Sequence, residues 1–366
     1  MKIVCSRKDL FDGVQTAARA VSSRSSLPIL SHLLISAQDG MVKLAATDLE
    51  IGVECKINAS IEEPGSLTVP AKIISEMLST LPESDVTISV DESNRVSLKC
   101  GTSDYQILGL PAEEFPMLPE VKDEVSFTIE KSVLRSTIEK TIFAVSQDES
   151  RASLTGVLIM LEEGELRLVS TDTHRLCMME CPITEGKGQT AAIVPGRAMG
   201  ELHRIVQDED GVVTVNVSQS QVLFSVDGTV LISRLIEGQF PNFQKVIPQE
   251  FNKQLIVPTD QLLQSVRRAA IVARENANRV VLRTQDAKLT VTAESSSVGT
   301  AYEEVDIVID GEDIEMAFSA KYLMDFLGVI GTEAIEMQLT GNLSPALLKP
   351  QDDETYNYVL MPMQLR

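Results

Sequence analysis

Leu10, Val14, Ala18 and Val21 fall at i, i+4, i+8 and i+11, the spacing that lays apolar side chains along one helix face. The apolar run Ile3 to Cys5 precedes them. The same arrangement returns 124 residues on at Leu134, Ile138, Ile142 and Val145, after Phe127 to Ile129. It returns again at Leu262, Val266, Ala270 and Ala273, after Leu255 to Val257. The spacing predicts a strand and then a helix at the start of each third of the chain. Segments such as Val86-Thr87-Ile88-Ser89-Val90 and Val213-Thr214-Val215-Asn216-Val217 alternate with the period of two of half-buried strands.

Other landmarks keep this register, so the chain reads as a threefold internal repeat. Thr47-Asp48 reappears as Thr171-Asp172, and Phe115-Pro116 as Phe240-Pro241. Val69-Pro70-Ala71-Lys72 matches Val194-Pro195-Gly196-Arg197 and, more loosely, Phe318-Ser319-Ala320-Lys321; each opens a second predicted helix, with Pro70 and Pro195 suited to its first turn. Repeats at 1–122, 123–250 and 251–366 follow, each with two helices and about eight strands. The expected class is α+β, three pseudo-symmetric units with helices on one side of largely antiparallel sheet.

Composition excludes several classes. Apolar residues make up 43% and charged residues 23%, which is globular and not disordered, and cores must be built without Trp. Five cysteines form no paired framework, as expected of a reduced cytoplasmic protein, and no second Cys or His pair at zinc spacing accompanies Cys177 and Cys181. No uninterrupted apolar stretch reaches membrane-spanning length. The net charge of −21 argues at first against nucleic acid. It is unevenly spread: the six predicted helices (7–21, 71–80, 131–145, 196–206, 260–274, 320–330) carry +6 and the rest −27. Arg7, Lys8, Lys131, Arg135, Lys140, Arg267, Arg268 and Arg274 belong to the helices, and acidic runs such as Asp208-Glu209-Asp210 belong to turns. Either the helices are ordinary solvated ones, with i,i+4 pairs Lys72/Glu76, Arg197/Glu201 and Lys321/Asp325, or they line one positive surface that suits backbone phosphates.

In order and spacing, Arg24-Ser25-Ser26-Leu27-Pro28-Ile29-Leu30, Thr47-Asp48-Leu49-Glu50, Thr68-Val69-Pro70-Ala71-Lys72, Thr171-Asp172-Thr173-His174-Arg175-Leu176, Phe240-Pro241 and Tyr358-Val359-Leu360-Met361-Pro362-Met363 are telling. Along its whole length the chain resembles the bacterial sliding clamps, the beta subunits of DNA polymerase III. The resemblance implies a head-to-tail homodimer whose six repeats close around duplex DNA without reading sequence. It implies a processivity factor of DNA replication with no catalysis or cofactor of its own. The implied partners are the replicative polymerase subunit, the clamp loader, and repair and translesion polymerases, all through short linear motifs. Carried over residue by residue, the partner-peptide pocket comprises Leu154, Thr171, His174, Arg175, Leu176, Pro241, Val246, Leu343, Val359, Met361, Pro362 and Met363, with Arg175 and His174 at its rim. DNA contacts fall on Arg24, Lys72, Gln147, Arg151 and Arg197, and the dimer seam on Tyr105, Ile271 and Val272. The chain departs from the family pattern at Thr173, where Gly is common, at Asn278 and at Pro345. Ala152 and Ser153 stand where some members carry paired Tyr, so stacking of single-stranded DNA there is not expected.

Two rivals predict differently. A catalyst would use His174 and Asp172 in acid–base chemistry, but only three His are present, at 32, 174 and 203. Thr47-Asp48 also recurs without any His, which points to an architectural turn. An acidic repeat scaffold would bind proteins and leave DNA alone.

Overall fold

The structure is a computed structural model that describes residues 1–22, 27–91, 93–119, 121, 124–207 and 210–365. Arg24, Asp208 and Glu209 lie outside the described residues, as does the 122/123 repeat boundary. The described residues form twenty-seven strands and six α-helices: α1 (Arg7–Ala17), α2 (Ala71–Thr80), α3 (Lys131–Ile142), α4 (Gly196–Ile205), α5 (Thr259–Ala273) and α6 (Ala320–Leu327). Each third contributes nine strands and two helices in the same order. That is one strand more than the expected eight.

Helix boundaries follow local chemistry. Ser6 caps α1 by accepting the Asp9 N–H at 3.0 Å, and Leu10, Val14 and Ala17 form its buried face. The helix stops at Ala17; Ala18–Ala20 tighten into a 3-10 turn, so Ala18 and Val21 lie beyond the α-helix predicted for them. Pro70 and Pro195 each end a strand one residue before the helix, in place of the first-turn position expected of them. In α5 the whole predicted set Leu262, Val266, Ala270 and Ala273 is buried.

The chain divides into two compact units. The first holds residues 1–131, 184–188 and 201–235; the second holds 132–183, 189–200 and 236–366. The central third is shared because it supplies strands to a large sheet in each.

The first unit contains a five-stranded sheet in the order Ser60–Glu63, Lys2–Ser6, Asp85–Val90, Arg95–Cys100, Ser103–Leu108. It also contains a nine-stranded sheet in the order Glu185–Lys187, Val125–Glu130, Val212–Val217, Gln221–Val226, Thr229–Arg234, Ile51–Ile57, Met41–Thr47, His32–Gln38, Gly65–Pro70. Within the latter, Thr229–Arg234 of the central repeat pairs antiparallel with Ile51–Ile57 of the first, in the register Ile232 to Gly52. Ile3, Leu10, Val14, Leu33, Leu44, Ile74 and Leu98 are among the residues of one aliphatic core.

The second unit contains a nine-stranded sheet in the order Thr190–Pro195, Gly156–Glu162, Glu165–Thr171, Arg175–Pro182, Tyr356–Leu360, Ala346–Pro350, Ala334–Leu339, Lys253–Pro258, Val308–Asp310. A four-stranded sheet runs Gly299–Asp306, Lys288–Ser295, Arg279–Gln285, Glu315–Ser319. Here Tyr356–Leu360 of the third repeat pairs antiparallel with Arg175–Pro182 of the central one, in the register Val359 to Leu176. With no Trp available, Phe326 stacks on Tyr358 at 4.7 Å between ring centroids, and both rings are buried.

The observed helices hold eleven basic and seven acidic residues, a smaller excess than the predicted segments gave. Arg19 and Arg274 lie just past helix ends. Lys131, counted with the helix cations, is buried and bound to Asp227, so it cannot face a polyanion. Arg7 pairs with Glu83 and Arg268 with Glu303. Lys8, Arg267, Arg274 and Lys321 are exposed and have no ion pair among the described residues.

Candidate binding groove at the 171–175 turn

The Thr-Asp motif builds a tight turn from its own side chains. Thr171 Oγ1 donates to the Arg175 carbonyl at 2.7 Å and accepts the Thr173 N–H at 3.1 Å. Asp172 Oδ1 accepts the His174 and Arg175 N–H groups at 2.9 and 3.1 Å. The first repeat reproduces this bond for bond. Thr47 Oγ1 donates to Ile51 O at 2.9 Å and accepts Leu49 N–H at 3.0 Å, and Asp48 Oδ1 accepts Glu50 and Ile51 N–H at 3.0 and 2.8 Å. The architectural role expected of the motif is thus observed twice, and one Asp172 oxygen is committed to it. Both turns place a non-glycine residue in the left-handed region, Leu49 at φ 77° and Thr173 at φ 79°. Glycine would meet that conformation without strain.

Arg175 does not sit at a rim. Its side chain is 5% exposed. Nε donates to Asp172 at 3.0 Å, one terminal nitrogen to Asp325 at 2.6 Å and the other to the Phe143 carbonyl at 2.6 Å. The guanidinium also lies 4.3 Å from the centroid of the Tyr322 ring. Burial works against the charged form, but Tyr358, Asp325 and Asp172 outweigh it and raise the pKa above the ordinary arginine value. Arg175 is a permanently charged staple under the turn.

Beside this staple lies an open cavity of about 180 Å³ lined by Thr171, Thr173, Arg175, Leu176, Pro241, Phe243, Val246, Val359 and Met361. Seven of the twelve residues expected in the pocket line it. Thr173 and Phe243 line it as well. Phe243 was not singled out from the sequence, although it follows Phe240-Pro241 closely and packs edge-on to Phe240. Leu176, Phe243 and Val359 are buried, while Pro241, Val246 and Met361 are exposed at the mouth. The Met361 N–H donates to His174 O at 2.9 Å, so the C-terminal segment is fastened to the turn, and Met363 N–H continues to Ala317 O at 2.7 Å.

The remaining expected residues do not line this cavity. Leu154 is buried, and Leu343 is 75% exposed and outside the lining. Pro362 and Met363, next in the chain after Met361, are half-buried and outside the lining. His174 is exposed and borders a second, more polar cleft of about 460 Å³ with Gln147, Arg151, Lys321, Tyr322 and Asp325.

Of the expected DNA contacts, Lys72, Gln147, Arg151 and Arg197 are all exposed, and Arg24 is outside the described residues. Lys72, Arg197 and Lys321 are each the exposed second residue of α2, α4 and α6. Lys72 reaches Glu76 only loosely, at 3.9 Å, whereas Glu201 takes Arg19 and Arg204, and Asp325 takes Arg175. Arg151 is held by Asp148 at 3.0 Å. At the expected seam, Ile271 is 60% exposed on α5, while Tyr105 and Val272 are partly packed into the cores of their own units.

Comparison with known proteins decides the family. The domain models of the DNA polymerase III beta subunit match in order: N-terminal at 1–119, central at 128–242 and C-terminal at 244–364. The chain belongs to the DNA polymerase III beta subunit family. It is 34% identical to the beta sliding clamp of Synechococcus elongatus and 32% identical to that of Bacillus subtilis, with full coverage of both chains in each case. Among solved structures, the Bacillus subtilis DNA polymerase sliding clamp superposes with a TM-score of 0.96 at 31% identity over the whole of both chains. A Pseudomonas aeruginosa clamp solved bound to griselimycin gives 0.95 at 32%, again over both full lengths. Members of this family are non-catalytic accessory subunits of the polymerase, and the use of Asp172 to close a turn suits that role. No described helix is long and apolar enough to cross a membrane.

Proposed function

We propose that two copies of this chain join head to tail into a ring that encircles duplex DNA and slides along it, and that this underlies its function as a processivity factor of replication. The observation that carries the ring is the strand arithmetic. Each nine-stranded sheet joins five strands of one repeat to four of its neighbour, through the last strand of one and the fourth strand of the other. The five-stranded sheet ends on the last strand of the first repeat, Ser103–Leu108; the four-stranded sheet ends on the fourth strand of the third repeat, Gly299–Asp306. Each is an edge with one partner among the described residues, and an open edge is a template for pairing. A chain carrying one copy of each unsatisfied half completes the pattern with a second chain, twice over, and the heterologous contact closes. Exposed Leu108 on one edge and Ile271 and Tyr302 near the other supply apolar surface for the seam.

The repeats in this reading run 1–122, 123–250 and 251–366. Exposed Lys72, Arg197 and Lys321 at repeated helix positions, with Gln147, Arg151 and Arg24, make phosphate contacts weak enough for sliding. The apolar groove beside Val359 and Met361 takes short linear motifs of the replicative polymerase, the clamp loader and repair polymerases; its Met and Val walls adapt to different anchors. The work is cytoplasmic. Solution mass at low concentration tests the ring: about 80 kDa is expected, twice the 40.0 kDa chain, and a stable monomer would overturn it.

A further inference from the structure

The duplicated turn raises the question of what stands beside its first copy. There, a cavity of about 180 Å³, the same size as the groove of the second unit, opens next to Leu49 and Glu50. It occupies the corresponding place in the repeat. Gly52 pairs with Ile232 as Leu176 pairs with Val359, and two residues further along those partner strands stand Arg234 and Met361. Both Arg234 and Met361 line their cavities. Of the self-similar dipeptides Phe115-Pro116 and Phe240-Pro241, the proline lines the cavity in each unit, followed by Met117 and Leu118 in the first and by Phe243 in the second.

Three differences set its chemistry. Gly52 replaces the leucine floor, and Leu118 has filled the vacated space: a Cβ on Gly52 would lie 2.5 Å from Leu118 Cδ2. The remaining space therefore suits a small aliphatic side chain. Met117 is 94% exposed and Leu49 45% exposed at the mouth, an apolar rim with nothing packed on it. Arg234 stands where the other groove has a methionine. It is exposed, and among the described residues its guanidinium has no hydrogen bond or ion pair; only its backbone is engaged, the N–H donating to Glu50 O and the carbonyl accepting from Ser233 Oγ, each at 2.9 Å. The lining is mixed, with Thr47, Glu50 and Gln221 beside Leu49, Met117, Leu118 and Ile232, and an unpaired guanidinium at its mouth matches a carboxylate, which it can hold in bidentate fashion. Glu50 on the same rim repels a second one.

We propose that this first-unit cleft is a second peptide-docking site, taking a linear segment that carries one acidic residue beside a small aliphatic side chain. The proposal borrows from the reading of the second-unit groove as a peptide site, and the test separates the two. Methyl spectra of the full chain are followed while an acetylated peptide Gly-Asp-Leu-Val-Gly is added, alongside a version with Lys in place of Asp. The Asp peptide is expected to shift the Ile232 and Met117 methyls saturably. In Arg234→Glu, whose surface position leaves the rest of the spectrum unchanged, that binding should weaken at least about tenfold, consistent with loss of a charge-assisted pair. Absence of a saturable shift at Ile232 and Met117, or a shift unaltered by Arg234→Glu, overturns the proposal. The Val359 and Met361 methyls report on the other groove in the same spectra, so its failure is read independently.

Discussion

Arg175 is the residue whose role changes most between sequence and structure. A lone arginine after Thr-Asp-Thr-His reads as a rim contact, because its partner Asp325 lies 150 residues away and nothing local announces it. Folded, it joins the turn, α6 and the end of α3, and any peptide would meet a surface that Arg175 supports from below. Replacing Arg175 by Ala would strand Asp325 and the Phe143 carbonyl in a half-buried site. We expect a loss of about 3 kcal/mol in urea unfolding, the cost of breaking a buried ion pair; a loss below about 1 kcal/mol would contradict the staple role. The Thr-Asp turns themselves were legible, since a short polar pair that recurs without a catalytic companion has few uses besides bonding its own backbone. Phe243 was not legible because a single aromatic in a loop carries no period.

At the scale of elements, periodicity located all six helices but ran three or more residues past the ends of α1, α3 and α6. Their apolar stripes continue into Ala18–Ala20, beyond Ile142 and on to Ile330, where the chain keeps an inward face without keeping α-helical bonding. The extra strand in each repeat was hidden for a different reason. Ser60–Glu63, Glu185–Lys187 and Val308–Asp310 are short, mostly exposed edge strands with no apolar alternation to read. Such short, charged edges blunt unwanted pairing. The edge Ser103–Leu108 is longer and carries Leu108 at 72% exposure, which is why it is assigned to the seam. Gly109 N–H bonds inward to Asn94 O, so by alternation the amides of Asp104, Gln106 and Leu108 face outward. Gln106→Pro removes one such donor at a position an edge strand tolerates. Dimerisation is expected to weaken by about tenfold in sedimentation equilibrium, with the circular dichroism spectrum retained; unchanged association would move the seam elsewhere.

For the whole molecule, the net charge of −21 is the misleading number and its distribution the useful one. The segregation survives in the structure in reduced form, because Lys131 is buried and Arg7 and Arg268 are neutralised by nearby acids. What remains are exposed basic residues at repeated helix positions; in the proposed ring they would give a weak, sequence-blind grip that topology, and not affinity, makes persistent. The threefold repeat was readable because strand–helix units recur at a fixed interval. The pairing of the last and fourth strands was not, since register between distant strands leaves no trace in spacing. Encirclement is tested most directly by loading the protein on a nicked circular plasmid and then linearising the DNA. The ring predicts that bound protein runs off the free ends and is lost on linearisation while it stays on the circle. Equal retention on circular and linear DNA would contradict it.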